Sequence, residues 1–112
     1  MTEKAAQRME ALNHELERVL DILRRCYTPK LIYIYGSLAT GIVKEWSDID
    51  LVIVKDTSKR FLDRTAEVLD LISPRVGMDI VVYTPKEWET MLRERRFVQE
   101  EIVQKGKILY AA

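Results

Sequence analysis

Near the N-terminus the apolar positions Leu12, Leu16, Val19, Leu20 and Leu23 recur at helical spacing, with charged residues filling the other face. The pattern predicts one long amphipathic helix from Glu3 to Cys26, ended by Pro29. Leu31–Tyr35 is a short run of β-branched and aromatic residues stopped by Gly36, too short for a helix and suited to a buried strand. Gly36 to Glu45 reads as a turn with room for one helical turn. A second buried strand covers Ile49 to Lys55 and closes at Asp56-Thr57-Ser58. A helix follows, placing Phe61, Leu62, Thr65, Val68, Leu69 and Ile72 on one side and ending at Ser73-Pro74.

Gly77 to Tyr83 gives a third strand. Thr84-Pro85-Lys86-Glu87 then carries three helix-start signals: a capping threonine, a proline at the first helical position, and a glutamate where a capping box needs it. That helix carries Trp88, Met91 and Leu92, breaks around Glu94 to Arg96, and resumes from Phe97 to Lys105. Gly106 suits the position just past its end, and Ile108-Leu109-Tyr110 adds a short edge strand. Short strands separated by helices predict an α/β (α+β) fold, a small sheet covered by helices on at least one side.

Composition narrows the function classes. The 112 residues carry 18 Lys plus Arg against 18 Asp plus Glu, so the formal net charge is +0. A chain of this length buries about two-thirds of its surface in one core and is expected to form a single domain, 1–112. Binding along a nucleic-acid backbone favours a basic excess, and the longest basic cluster, Arg93, Arg95 and Arg96, is short and interleaved with Glu. Template or duplex binding is therefore disfavoured. One cysteine, Cys26, precludes an internal disulfide and fits a reducing compartment. The polar start from Met1 to Glu10 is unlike a signal peptide, and no apolar run nears the roughly 20 residues of a membrane span. The expected location is the cytoplasm. Few Asn and Gln among many Lys, Arg and Glu would suit a thermophile.

The chemistry concentrates in Tyr35-Gly36-Ser37-Leu38-Ala39-Thr40-Gly41 and Ser47-Asp48-Ile49-Asp50-Leu51. Asp48 and Asp50 stand two apart at the head of a strand, so both carboxylates face one way. Two such carboxylates repel, and a divalent cation relieves the conflict; Mg²⁺ favours a few carboxylates plus phosphate oxygens. Gly36 and Ser37, where strand turns to helix, offer a close backbone approach, a hydroxyl and N–H groups to an anion. Asp79 sits within an otherwise apolar strand, where a lone carboxylate is costly unless paired or metal-bound. If its strand neighbours the second, the three carboxylates can hold two Mg²⁺ roughly 3.5–4 Å apart, the clamp of phosphoryl and nucleotidyl transfer.

Gly-Ser, ten residues, then Asp-x-Asp resembles the signature of the DNA polymerase beta-like nucleotidyltransferase superfamily. Gly36-Ser37, Asp48 and Asp50 match its spacing without a gap, a coincidence of order one in a thousand at ordinary residue frequencies. The chain's size and its Thr84-Pro85 and Glu101…Tyr110 segments resemble the branch of minimal nucleotidyltransferases, or MNT proteins, along nearly the whole length. The resemblance implies a mixed sheet flanked by helices, Mg²⁺ ligands at Asp48, Asp50 and Asp79, and β/γ-phosphates on Gly36 and Ser37. It further implies that Asp79 helps deprotonate the acceptor hydroxyl. Many minimal members read G-S-x-A-R-G, whereas Thr40 stands here in place of arginine; Lys44 lies close and could supply the charge.

The implied function is Mg²⁺-dependent transfer of a nucleoside monophosphate, AMP from ATP, to an acceptor hydroxyl, with diphosphate leaving. Many minimal members are encoded beside a helical HEPN protein and act as its antitoxin, some by adenylylating a tyrosine of that partner. The rival reading is a catalytically weak binding module acting by complex formation alone, which Thr40 favours and the intact carboxylates oppose. Elsewhere the plainer roles lead. His14 reads as a solvated surface residue, Cys26 as a small core hydrophobe, and Trp88, Met91 and the Tyr33/Tyr35 pair as core. Trp46 fits either packing under its loop or stacking on a nucleobase. The first helix offers a face for a homodimer.

Overall fold

The computed structural model describes every residue, Met1 to Ala112. Helix α1 (Glu3–Ile22) is capped by the Thr2 hydroxyl, which accepts from the backbone N–H of Ala5 at 3.0 Å. It widens over Leu23–Tyr27, where Thr28 N–H reaches back five residues to the Leu23 carbonyl, and stops at a left-handed Thr28 before Pro29. Strand β1 (Leu31–Tyr35), one turn of helix α2 (Ser37–Thr40), strand β2 (Ile49–Val54) and helix α3 (Phe61–Ile72) follow. Strand β3 (Met78–Tyr83) leads into α4 (Pro85–Glu94), a wide helical segment α5 (Val98–Gln104) and strand β4 (Lys107–Ala111).

The sheet runs β3-β2-β1-β4, with β2 and β3 parallel and the other pairs antiparallel. It is mixed, as expected, but helices cover both faces. On one face Ile32, Ile34, Leu51, Ile53, Ile80 and Val82 meet Leu12, Leu16 and Val19 of α1, Leu23 of the widened turn after it, and Val68 and Ile72 of α3. On the other, Tyr33, Val52 and Val54 meet Trp88, Val98 and Ile102. The period-2 alternation of each strand feeds both cores, which explains why the strands read as near-continuous apolar runs. The capping box at the start of α4 forms in full: Thr84 Oγ1 accepts from Glu87 N–H and Glu87 Oε1 from Thr84 N–H.

Several expectations are corrected. Cys26 is exposed, because the widened turn after α1 rotates it off the apolar face. Glu15 lies on the buried side of α1 at 3% exposure, held by the Arg18 guanidinium at 2.7 Å and 2.9 Å and by the Arg75 backbone N–H at 2.6 Å. The Arg18 bonds, opposed by burial, hold its carboxyl below the usual range. On α3, Phe61 and Leu62 are exposed while Arg64 is buried. Its guanidinium donates from Nε to the carbonyl of Lys59 (2.8 Å) and from Nη1 to the carbonyl of Val82 (3.2 Å) and to Glu87 (2.6 Å), so the buried charge is met by two carbonyls and a carboxylate. His14 is exposed and Trp88 buried, as expected. No helix is long and apolar enough to cross a membrane.

Candidate active site

The site forms at the sheet end where β1 finishes and β2 and β3 begin. Asp50 pairs across the antiparallel ladder with Tyr35 and across the parallel ladder with Asp79. Directly paired residues share a sheet face, and neighbouring strands lie about 4.8 Å apart, so the two carboxylates stand side by side on the α4–α5 face. Asp48 precedes Asp50 by two residues at the mouth of the same strand. Asp79 is exposed and second in β3 rather than buried in mid-strand, so its cost is electrostatic crowding and not burial in apolar surroundings.

Two glycines make room for these carboxylates. Gly36, at φ +73°, ψ −154°, turns the chain from β1 into α2, and a Cβ there would overlap the Asp50 carboxylate. Gly77 lies beneath Asp48, where a Cβ would sit 2.5 Å from the Asp48 Cγ. Its carbonyl accepts from Ile49 N–H at 3.1 Å, extending the β2–β3 register to the aspartates. Gly36 and Asp50 therefore meet because their backbones leave no volume between them for a side chain.

Burial, then the neighbouring Asp79 and Asp48 carboxylates, push the Asp50 carboxyl up to about 6. The half-buried Tyr35, edge-on to Phe97 at 6.1 Å between ring centroids, has its hydroxyl raised by burial and then by Asp50 and Asp79. Neither Asp50 nor Asp79 takes part in any ion pair or side-chain hydrogen bond of the protein, whereas Asp48 accepts from Arg8 Nη2 at 3.0 Å. No three acidic, His or Cys side chains stand close enough to form a ready-made metal cage, and the Arg8 contact engages the carboxylate that would be the third. Oxygen donors that repel one another, over glycines that admit nothing bulkier, fit a hard divalent cation in chemistry.

Ser37 opens α2, half-buried, with the unpaired first N–H groups of that turn beside it. Thr40 Oγ1 is turned back to the Ser37 carbonyl at 3.3 Å. Lys44 is exposed; its backbone N–H donates to Ser47 Oγ at 2.9 Å, and its side chain lines a hollow with Met1, Thr2, Ala5, Val43 and Trp46. The structure thus brings together Gly36, Ser37, Asp50 and Asp79, sets Asp48 at the same sheet end beside Gly77 and Arg8, and sets Lys44 with the start of α1. Trp46 is 76% exposed, so it does not pack under its loop. Unforeseen in the sequence are Arg8, Gly77 and the position of Tyr35 beside Asp50. A glycine two residues before Asp79 was a legible cue; Arg8, one of many charges on α1, was not.

A family model for the nucleotidyltransferase domain matches residues 16–109. No curated protein matches the sequence. Among solved structures, a candidate nucleotidyltransferase of Sulfolobus solfataricus superposes with a TM-score of 0.70 at 17% identity, covering 99% of this chain and 90% of that one. A mutant of the toxin–antitoxin complex MntA-HpeT gives 0.56 at 23% identity, with 86% and 72% covered. A toxin–antitoxin structure with AMP-PNP gives 0.53 at 23% identity, with 86% and 73% covered. These likenesses concern the fold; the family match, which runs from within α1 into β4 and covers every residue of the site but Arg8, shows that the chain belongs to the nucleotidyltransferase domain family.

Proposed function

We propose that the protein transfers AMP from ATP to a hydroxyl on a partner protein, and that this modification is how it acts as an antitoxin. The observation that carries the reading is the registered pair Asp50–Asp79 beside the Gly36–Ser37 turn. Asp48, Asp50 and Asp79 would hold Mg²⁺, two ions if Arg8 yields Asp48, which would neutralise phosphate charge and favour loss of the acceptor's proton. Ser37 and the first N–H groups of α2 receive the β/γ-phosphates. Asp79, the most accessible of the paired carboxylates, takes the acceptor's proton as its oxygen attacks the α-phosphorus. The bond to the bridging oxygen breaks and diphosphate leaves. The structure with AMP-PNP supports ATP as donor, and the toxin–antitoxin likeness supports a toxin, of HEPN type by the sequence resemblance, as acceptor.

Incubation with labelled ATP, Mg²⁺ and the product of the neighbouring gene tests this: the partner gains the mass of AMP on a tyrosine, and Asp50→Ala abolishes the gain while circular dichroism is unchanged. Transfer retained by Asp50→Ala overturns the reading. A binding module without turnover is the second reading, favoured by Thr40, whose hydroxyl is spent on its own helix. Calorimetry with ATP and Mg²⁺ separates the two, since a module shows no binding at millimolar nucleotide.

A further inference from the structure

Helix α1 reaches the acidic site through one side chain. Arg8 donates from Nε to the Ser47 carbonyl at 2.8 Å and from Nη2 to Asp48 Oδ1 at 3.0 Å. It is a two-pronged contact across 39 and 40 residues of sequence, made by a guanidinium only a quarter exposed. The contact is built from both sides. Ser47 is buried at 8% exposure and its hydroxyl fixes the preceding loop by accepting from Lys44 N–H. Asp48 lies against Gly77, where a side chain would displace it. On α1, the Thr2 cap and buried Ala5 anchor the turn that carries Arg8. Of Asp48, Asp50 and Asp79, Asp48 alone has a protein cation.

We propose that Arg8 is the resident counter-ion of Asp48, a positioning residue that competes with a divalent cation for that carboxylate and so couples the first turns of α1 to loading of the site. The inference rests on Asp48 being a cation ligand, as in the function proposed above. A guanidinium and a divalent cation cannot both hold the same carboxylate oxygen at full strength, because each places positive charge within a few ångströms of the other. A cation on the free Oδ2 would still stand within a few ångströms of the guanidinium, so its binding loosens the Nη2 contact, and the hold of α1 on the Ser47 loop weakens with it. Absence of the cation leaves Asp48 oriented and the helix clasped.

Calorimetric titration with Mn²⁺ as the probe tests this, on the wild-type chain and on Arg8→Met, Arg8→Lys and Lys4→Met, with hydrogen exchange followed over residues 3–9. Lys4 is exposed one turn from Arg8, so its neutralisation controls for net charge alone. Arg8→Met is expected to bind Mn²⁺ about tenfold tighter, Arg8→Lys less than threefold, and Lys4→Met like wild type. Mn²⁺ should speed exchange in residues 3–9 of the wild type and leave Arg8→Met, already fast there, unchanged. Equal or weaker Mn²⁺ binding by Arg8→Met, an equal gain in Lys4→Met, or wild-type exchange indifferent to Mn²⁺ overturns the proposal. If Arg8→Met does not fold, Arg8→Lys with a measurable gain of up to about threefold carries the test, and no gain overturns it. Failure of every variant and the wild type to bind Mn²⁺ overturns the metal reading itself, which distinguishes the two outcomes.

Discussion

Two charged clusters sit on the same sheet and obey opposite rules. Around Arg64, a buried guanidinium meets two carbonyls and Glu87, and Glu87 in turn accepts from Thr84 N–H. Around Asp50, carboxylates face carboxylates, and the one arginine nearby engages Asp48. Burial acts to raise both acids. At Glu87 the Arg64 and Thr84 bonds outweigh it and the carboxyl is lowered; at Asp50 the neighbouring acids add to it and the carboxyl rises to about 6. A satisfied cluster stabilises the fold, whereas a frustrated one costs stability and is retained for what it can bind.

The largest expected effect breaks the frustrated cluster. Asp50→Asn should lower transfer by on the order of 10³-fold, measured with labelled ATP and the partner. It should also make the metal-free protein more stable. Asp50 has a folded pKa raised from 3.8 to about 6, so its ionisation favours the unfolded chain. The cost is absent well below the unfolded value of 3.8, accrues as pH rises from there to about 6, and then persists. Urea melts in EDTA should show Asp50→Asn gaining about 1–2 kcal/mol at pH 7.5, after allowance for solvent screening, with the gain falling as pH drops below about 6 and vanishing at about pH 2.5. Breaking the satisfied cluster has the opposite signature. Arg64→Met leaves Glu87 and two carbonyls short of a donor and should cost about 3 kcal/mol, or roughly 10 °C in Tm, with transfer per folded molecule unchanged.

The contrast also explains what the sequence revealed. Strands and helices were legible because their apolar periods feed two cores, and the α4 start because Thr84, Pro85 and Glu87 act within one turn. Asp48 and Asp50 were legible because their chemistry depends on local spacing. Asp79 required only that β2 and β3 be neighbours, which the parallel register provides. Arg64, Glu15 and Arg8 were not legible, since each owes its place to partners far along the chain: Arg64 to Val82 and Glu87, Glu15 to Arg75, Arg8 to Asp48. A charged residue on an amphipathic helix looks solvated until its distant acceptor is known. Cys26 failed for a related reason, because a widened turn shifts the helical phase that its assignment to the core assumed.

Gly36→Ala sharpens the comparison from the backbone side. The added methyl meets the Asp50 carboxylate and sits at a positive φ, so the expected cost is about 2 kcal/mol in stability together with a 10- to 100-fold fall in transfer. Recovery of stability but not of transfer in the double variant Gly36→Ala/Asp50→Gly would show that the clash, and not the turn, carries the cost.

The smallest effect tests whether the satisfied cluster acts as one unit. Thr84→Ala removes a cap and should cost about 1 kcal/mol in a urea melt, leaving transfer intact. The Thr84 hydroxyl holds the N–H of Glu87, and Glu87 Oε1 receives both Thr84 N–H and Arg64. Loss of the cap therefore loosens the acceptor on which Arg64 depends. Once Arg64 is methionine, that part of the cost no longer exists. The double variant Arg64→Met/Thr84→Ala should be less destabilised than the sum of the singles by about 0.5–1 kcal/mol. Strict additivity would mean that the capping box and the buried arginine merely share an atom.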